Sequence, residues 1–277
     1  MSERRVDVRV DDHVAVVTLA RPDKHNALDL PMFEQIAAAA ERLAFEPGLR
    51  AIVLCGEGPS FCSGLDVASI MAAAGVGGLT DRVDSEPPNL FQRAAYDWVR
   101  MPVPVIAALH GSCFGGGLQI ALGADVRIAA PDARLSVMEA RWGLIPDMSI
   151  TRTLPRLVSI DVAKELTWTG RIFSAQEAHA LGVVTRVASE PLTAATELAV
   201  EIAGRSPDAV RRAKRLYDES WTAPAPRSLA LEAELQLELI GSPNQLAAVA
   251  AGLDRQPAQF EDPPPTGLAP PGAAVDA

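Results

Sequence analysis

Two stretches of this chain place small residues where a backbone would have to come close to a ligand. The first is HGSCFGGGLQIALGAD (110–125). It follows an apolar run and leads into a helical one, so it presents backbone N–H groups at the positive end of a helix. Three known motifs fail on it. A P-loop needs Lys and Ser/Thr after its second glycine, and counting from Gly111 the chain offers Gly116, Gly117 and Leu118. A dinucleotide fingerprint counted from Gly115 and Gly117 meets Ile120 where a third glycine belongs. A nucleophile elbow has the pattern G-x-S-x-G, and Ser112 stands one position too early. What remains is either a glycine-lined helix start able to hold an anion or oxyanion, or a tight turn that needs positive φ. The second stretch, GEGPSFCSGLDV (56–67), also follows an apolar strand and puts Ser63 and Gly64 in a bend. Two small-residue bends, each after a buried strand, are what a two-donor oxyanion hole requires. The four histidines (His13, His25, His110, His179) are scattered, with no ligand spacing, and no metal site is expected.

The elements that must carry these bends can be read from periodicity. Val6, Val8 and Val10 alternate with polar residues, and with the run 13–19 they predict a β-hairpin. Asp29 and Pro31 open a helix whose apolar residues (Phe33, Ile36, Ala37, Ala40, Leu43, Ala44) recur at helical spacing up to Pro47-Gly48. Residues 50–56 read as a buried strand, 72–88 as a mobile Gly/Ala/Pro-rich loop, 89–100 as a helix and 105–110 as a second buried strand. A glycine-rich turn follows at 111–117 and a helix at 118–123. Further strands are expected at 126–129, 135–137 and 183–187, and helices at 161–169, 175–181, 191–205, 207–221 and 228–240. Strands dominate the first two-thirds and helices the last third, which predicts a layered α/β protein. The Pro/Ala/Gly-rich tail, 261–277, has no periodic apolar face and is expected to be disordered.

Charge and composition narrow the partners. Against 25 Lys+Arg stand 35 Asp+Glu, a net charge of 25 − 35 = −10, which disfavours nucleic acid or an anionic membrane as main partner. Aromatics make up only 5%, too few for base-stacking platforms. The three cysteines (Cys55, Cys62, Cys113) show no CxxC spacing, so neither a disulfide framework nor a zinc knuckle is indicated, and buried thiols in a reducing compartment are expected. The N-terminal residues contain no apolar signal-peptide core, and no run approaches the ~18 apolar residues of a membrane span. A cytoplasmic location is the expectation.

Several spaced segments together resemble the enoyl-CoA hydratase/isomerase (crotonase) family: RPDKHNAL (21–28), FCSGLDV (61–67), VIAALHGSCFGGGLQIALGADVRIA (105–129), LSVMEARWGLIPDMSITRTLPRLV (135–158) and AKELTWTGRIFSAQEAHALGVVTRV (163–187). The likeness runs from about residue 5 to residue 260. It implies an α/β spiral of ββα units over 1–200, with CoA cleft and active site, and a C-terminal helical region over 201–260 that assembles trimers, often paired as hexamers. It implies an acyl-CoA substrate, a place in fatty-acid metabolism, no metal or redox cofactor, and CoA entering only as part of the substrate. Carried over by position, the oxyanion donors are the amides of Ser63 and Gly116. Losing one such donor typically costs about 3–4 kcal/mol. Lys24, Ala27, Ser63, Gly64, Leu65, Asp66 and Gly116 line the CoA side, where Lys24 or Arg21 could reach a phosphate. For Asp66 the preferred reading is a loop-capping carboxylate.

The catalytic carboxylates depart from the hydratase pattern that the resemblance implies. Of the two glutamates a hydratase uses, the first falls here on Gln119, a carboxamide that cannot carry a proton near neutral pH but can orient a group. The second matches Glu139, whose role as general acid/base is worth about 10²–10⁴-fold in rate. Asp147, where a hydratase has glycine, is either a second catalytic carboxylate, as in the dienoyl-CoA isomerase branch, or a helix N-cap. Trp142 either narrows the acyl pocket or, the preferred reading, sits in the core. This set favours double-bond isomerisation over hydration. Hydration with Glu139 as main acid/base, a decarboxylase or thioester hydrolase, and a non-catalytic acyl-CoA-binding member stand as alternatives.

Overall fold

The computed structural model describes residues 3–74 and 88–270. Its larger sheet holds β1 (Val6–Asp11), β2 (Val14–Leu19), β3 (Ala51–Gly56), β4 (Val105–Leu109), β6 (Val126–Ala129) and β9 (Arg186–Val187), in that order. The β1–β2 hairpin is antiparallel and every other pairing is parallel. β3 and β4 are central and buried on both faces, which is why they read as unbroken apolar runs. A smaller sheet joins β5 (Ser112–Phe114), β7 (Arg134–Ser136) and β8 (Phe173–Ser174). The chain thus gives a strand to the large sheet, then one to the small sheet, then a helix, and repeats. This is the ββα spiral expected from the resemblance. Isolated parallel bridges, Cys62 to Cys113 and Leu28 to Leu65, extend the small sheet toward earlier turns of the spiral.

Helices cover both faces. On one side lie α1 (Leu30–Ala44), α3 (Leu90–Val99) and α4 (Gly116–Leu122); Asp29 caps α1 by accepting from the Met32 amide. On the other side α8 (Pro191–Ala203) lays Ala195, Ala199 and Ala203 on the sheet. The boundary drawn at 200/201 therefore falls inside a helix that belongs to the sheet core. Between them run α2 (Val67–Ala74), α5 (Ile150–Thr153), α6 (Ile160–Thr169) and α7 (Ala175–Ala180). The C-terminal helices are α9 (Pro207–Ser220), α10 (Ala225–Leu239) and α11 (Pro243–Asp254).

Several expectations need correction. Residues 72–74 belong to α2, an Ala-rich segment capped by Asp66, while 75–87 lie outside the described residues. The glycine-rich turn contains β5, and α4 starts at Gly116 rather than at 118. Of the strand expected at 183–187 only Arg186–Val187 pairs. Helix α11 was not foreseen, although Ser242 followed by Pro243 is a cap-plus-proline start and the Ser242 hydroxyl accepts from the Gln245 amide. The tail expected to be disordered is placed over 261–270, with 271–277 outside the described residues. Asp262 pairs with Arg50 at 2.7 Å, the Glu261 amide donates to Asn244, and the Gly267 and Ala269 amides donate to the carbonyls of Ala44 and Arg100. Leu268 packs against the core. Side-chain anchors distant in sequence hold a segment that has no amphipathic pattern of its own.

Candidate active site

The two glycine- and serine-bearing bends lie side by side because the small sheet puts them there. The Cys62 amide donates to the Ser112 carbonyl and the Phe114 amide to the Cys62 carbonyl, so 61–65 runs alongside β5. A Cβ on Gly64, at φ 94°, would sit 2.9 Å from the Phe114 carbonyl oxygen, which only glycine permits. On the far side of β5, β7 runs parallel, with Phe114 opposite Ser136. Three neighbouring strand ends thus deliver 63–65, Gly115–Gly116 and Glu139 to one place. They share a cavity of about 220 Å³ with Gln119 and Asp147 on its wall.

The donor assigned to the first bend must be corrected. The Ser63 amide is already spent on the His25 carbonyl at 2.9 Å, and the Ser63 hydroxyl donates to the Lys24 carbonyl at 3.3 Å. Leu28 bridges this segment in parallel: its amide donates to the Gly64 carbonyl and its carbonyl accepts from the Asp66 amide. A parallel bridge of that register uses the groups flanking Leu65 and turns Leu65's own N–H to the opposite side. Leu65 lines the cavity, so its amide, not that of Ser63, is the free donor there. The second expected donor, the Gly116 amide, stands at a helix start. Gly116 is the first residue of α4, where amides have no intrahelical acceptor. A Cβ at Gly116 would lie 2.8 Å from Leu28 Cδ1 and 2.9 Å from Met148 Sδ, so a side chain there would force Leu28 and Met148 to shift.

Glu139 stands beside this pair of amides. It begins a 3-10 turn (Glu139–Trp142) three residues beyond Ser136, the end of β7, and a Cβ on Gly115 would be 3.4 Å from its Oε1. Gln119 Nε2 donates to Oε1 at 2.6 Å, while Oε2 is buried with no hydrogen-bond partner. Burial pushes the Glu139 carboxyl above its ordinary range; its own amide and Gln119 pull it down, and the charge of Asp147 raises it again. Gln119 Oε1 accepts from the Met148 amide at 2.8 Å. Both polar ends of Gln119 are therefore engaged, and it links Glu139 to the Met148 backbone. Asp147 is half-buried on the cavity wall and is not a helix cap: the residue preceding α5 is Ser149, at φ 67°.

The remaining candidates separate clearly. Lys24, Ala27 and Asp66 do not line the cavity. Asp66 caps α2 through the Ser69 amide and hydroxyl and accepts from Arg21 at 2.9 Å; these contacts, Ser69 foremost, hold its carboxyl below the ordinary range. Arg21, which also lies 3.6 Å from Asp29, is thereby committed to an ion pair. Lys24 is exposed at the end of the 22–24 turn. Trp142 is not in the core but 67% exposed at the cavity mouth, beside Leu144 and Ile145. The four histidine rings bond Gly48, Ser60, Gly58 and Val184 and hold loops.

Asn26 went unnoticed in the sequence. Fully buried at φ 55°, it donates to the carbonyls of Glu57, Ser60 and Phe61 and accepts from the Arg21 amide. It ties the 21–28 loop to the bend that carries Leu65. The signal was present in an Asn flanked by loop residues, a type that tolerates the left-handed region.

Comparisons with known proteins agree in kind. The family model described as enoyl-CoA hydratase/isomerase matches residues 9–263. Mevalonyl-coenzyme A hydratase SIDH of Beauveria bassiana is 38% identical over 205 residues, 72% of each chain. The mitochondrial methylglutaconyl-CoA hydratase of Mus musculus is 28% identical over 90% of this chain and 79% of its own. The crystal structure of enoyl-CoA hydratase from Bacillus anthracis superposes with a TM-score of 0.85 at 30% identity, covering 93% of this chain and 99% of that one.

Proposed function

Because the chain belongs to the enoyl-CoA hydratase/isomerase family, we propose that it moves the double bond of an enoyl-CoA thioester, with Glu139 as the single proton carrier. The carbonyl oxygen of the thioester accepts from the Leu65 and Gly116 amides. Oε2 of Glu139 takes a proton from C2 of a 3-enoyl thioester. The electron pair passes into the carbonyl, and the dienolate oxygen is held by the two amides. Glu139 then returns the proton to C4, the C2–C3 double bond forms, and the carbonyl is restored. A carboxyl raised by burial suits both halves, because it must accept a proton and give it back near neutral pH. The reaction so drawn calls on no resident cofactor.

One observation carries this reading: Glu139 has one oxygen fixed by Gln119 and the other buried and unpartnered on the cavity wall. Gln119, neutral and engaged at both ends, supplies no second proton carrier. Hydration of a 2-enoyl-CoA is the second reading, favoured by Asp147, which faces the same cavity as a second carboxylate. Lys24, exposed near Ser63, is the candidate cation for a CoA phosphate. The exposed apolar residues of α10 and α11, among them Leu229, Leu237, Leu246 and Leu253, fit a trimer or hexamer interface, which light scattering tests.

A panel of 2-enoyl-, 3-enoyl- and dienoyl-CoA substrates decides between the readings. Isomerisation gives a shifted alkene, hydration a 3-hydroxyacyl product. A protein that binds acyl-CoA and converts none of them overturns both in favour of a binding role.

A further inference from the structure

The cavity that holds Glu139 and the two free amides is lined unevenly. Trp142 and Ile145 on its wall are 67% and 77% exposed. Phe33, 0% exposed, and Phe91, 8% exposed, line it as well, with ring centroids 4.8 Å apart and planes at 69°. Both rings come from well-anchored helix starts. Phe33 lies in the first turn of α1, where the Asp29 side chain accepts from the Met32 amide, and Phe91 is the second residue of α3, whose start is closed by reciprocal Asn89–Gln92 bonds. Two buried rings packed edge to face resist being turned aside.

We propose that the Phe33–Phe91 pair is the end wall of the acyl channel and sets the longest hydrocarbon chain the protein accepts with its thioester at Leu65 and Gly116. The inference rests on the thioester reading above and adds the substrate class to it. Leu65, Met138 and Met148 line the same cavity, an apolar surface with two adaptable thioether side chains. Among the described residues, the ionisable groups on the cavity wall are Glu139 and Asp147, both acidic, and they disfavour an acyl group that carries a second carboxylate. An uncharged hydrocarbon chain fits this lining.

The test is binding rather than turnover, so that it survives a different reaction outcome. Calorimetric affinities are measured for saturated acyl-CoAs from butanoyl to hexadecanoyl, and for succinyl-CoA against butanoyl-CoA. In the unaltered protein affinity rises by about fourfold per buried methylene and then breaks off at a limiting length. Phe91→Ala moves the break to longer chains, and Phe91→Trp moves it to shorter ones; Phe91→Leu serves if the alanine variant does not fold. Butanoyl-CoA binds more tightly than succinyl-CoA. A break that stays in place in folded Phe91 variants overturns the wall, as does loss of long-chain binding in Ile145→Ser with Phe91→Ala unchanged, which would put the chain at the open lip. Succinyl-CoA binding as tight as butanoyl-CoA overturns the substrate class. Failure to bind any acyl-CoA overturns instead the thioester reading beneath both.

Discussion

Replacing Gln119 by Leu removes the donor to Glu139 Oε1 and the acceptor of the Met148 amide while nearly keeping the volume. The sign of the effect is set by what Gln119 does to Glu139. Burial raises this carboxyl, and the Gln119 bond stabilises the ionised form against that rise. Without it the carboxylate is harder to form, so the acidic limb of the kcat/KM profile moves to higher pH. A hydrogen bond to a charged acceptor is worth about 1.5–3 kcal/mol. At a pH on the acidic limb, that is about a ten- to hundredfold loss of kcat/KM, recovered in part as the pH is raised. The assay is kcat/KM against pH with whichever enoyl-CoA is turned over, for the wild type and Gln119→Leu. Thermal unfolding is run alongside, since the orphaned Met148 amide costs about 1–3 kcal/mol of stability. A limb that stays in place, or moves to lower pH, would refute the argument that Gln119 tunes Glu139. A uniform loss at every pH would mean that Gln119 acts only through the shape of the site.

Other perturbations follow from the same geometry. Glu139→Gln should lower turnover by about 10²–10⁴-fold with acyl-CoA affinity retained, read by steady-state kinetics and calorimetry. Because folding raises the Glu139 carboxyl, its contribution to stability is full below the ordinary glutamate range and is lost as pH rises through the folded value. Denaturant midpoints of Glu139→Gln should lack that component of the pH dependence, and identical slopes for both proteins would count against it. Gly116→Ala forces a methyl group against Leu28 and Met148 and should cost about 3–4 kcal/mol of transition-state stabilisation, if the amide is displaced from the carbonyl oxygen. Asn26→Ala leaves the carbonyls of Glu57, Ser60 and Phe61 without their side-chain donor and should lower Tm, with the stability loss at or above about 1–3 kcal/mol.

The parts of this fold legible in the sequence are those written in local pattern. The β1–β2 hairpin, α1 with its Asp29 cap and the unbroken apolar strands β3 and β4 all follow from alternation, helical spacing and capping residues. The two bends were visible as residue types, and Glu139 was visible only through the family resemblance. What local pattern cannot carry is the direction in which a group points once distant segments pair. Which of two neighbouring amides, Ser63 or Leu65, faces the cavity depends on the register with Leu28 and on the His25 carbonyl. Whether Asp147 caps a helix or faces the cavity turned on that helix starting only after Ser149. Trp142 reads as a core residue by type, yet it sits on a 3-10 turn that leaves it at the surface. The order of 261–270 rests on Arg50, whose partner Asp262 lies 212 residues away.

That last pairing has a consequence for biosynthesis. Arg50 precedes β3, a central strand, and it grips Asp262 together with the carbonyls of Ala203 and Phe260. Until those residues have left the ribosome, a guanidinium at the edge of the first-made layers waits without its acceptors, and the slot for Leu268 stays wet. Contacts of such wide separation close late and slowly. A chain terminated before Phe260 therefore leaves Arg50 without two of its acceptors and the core without Leu268, exposed apolar surface of the kind that holdase chaperones cover.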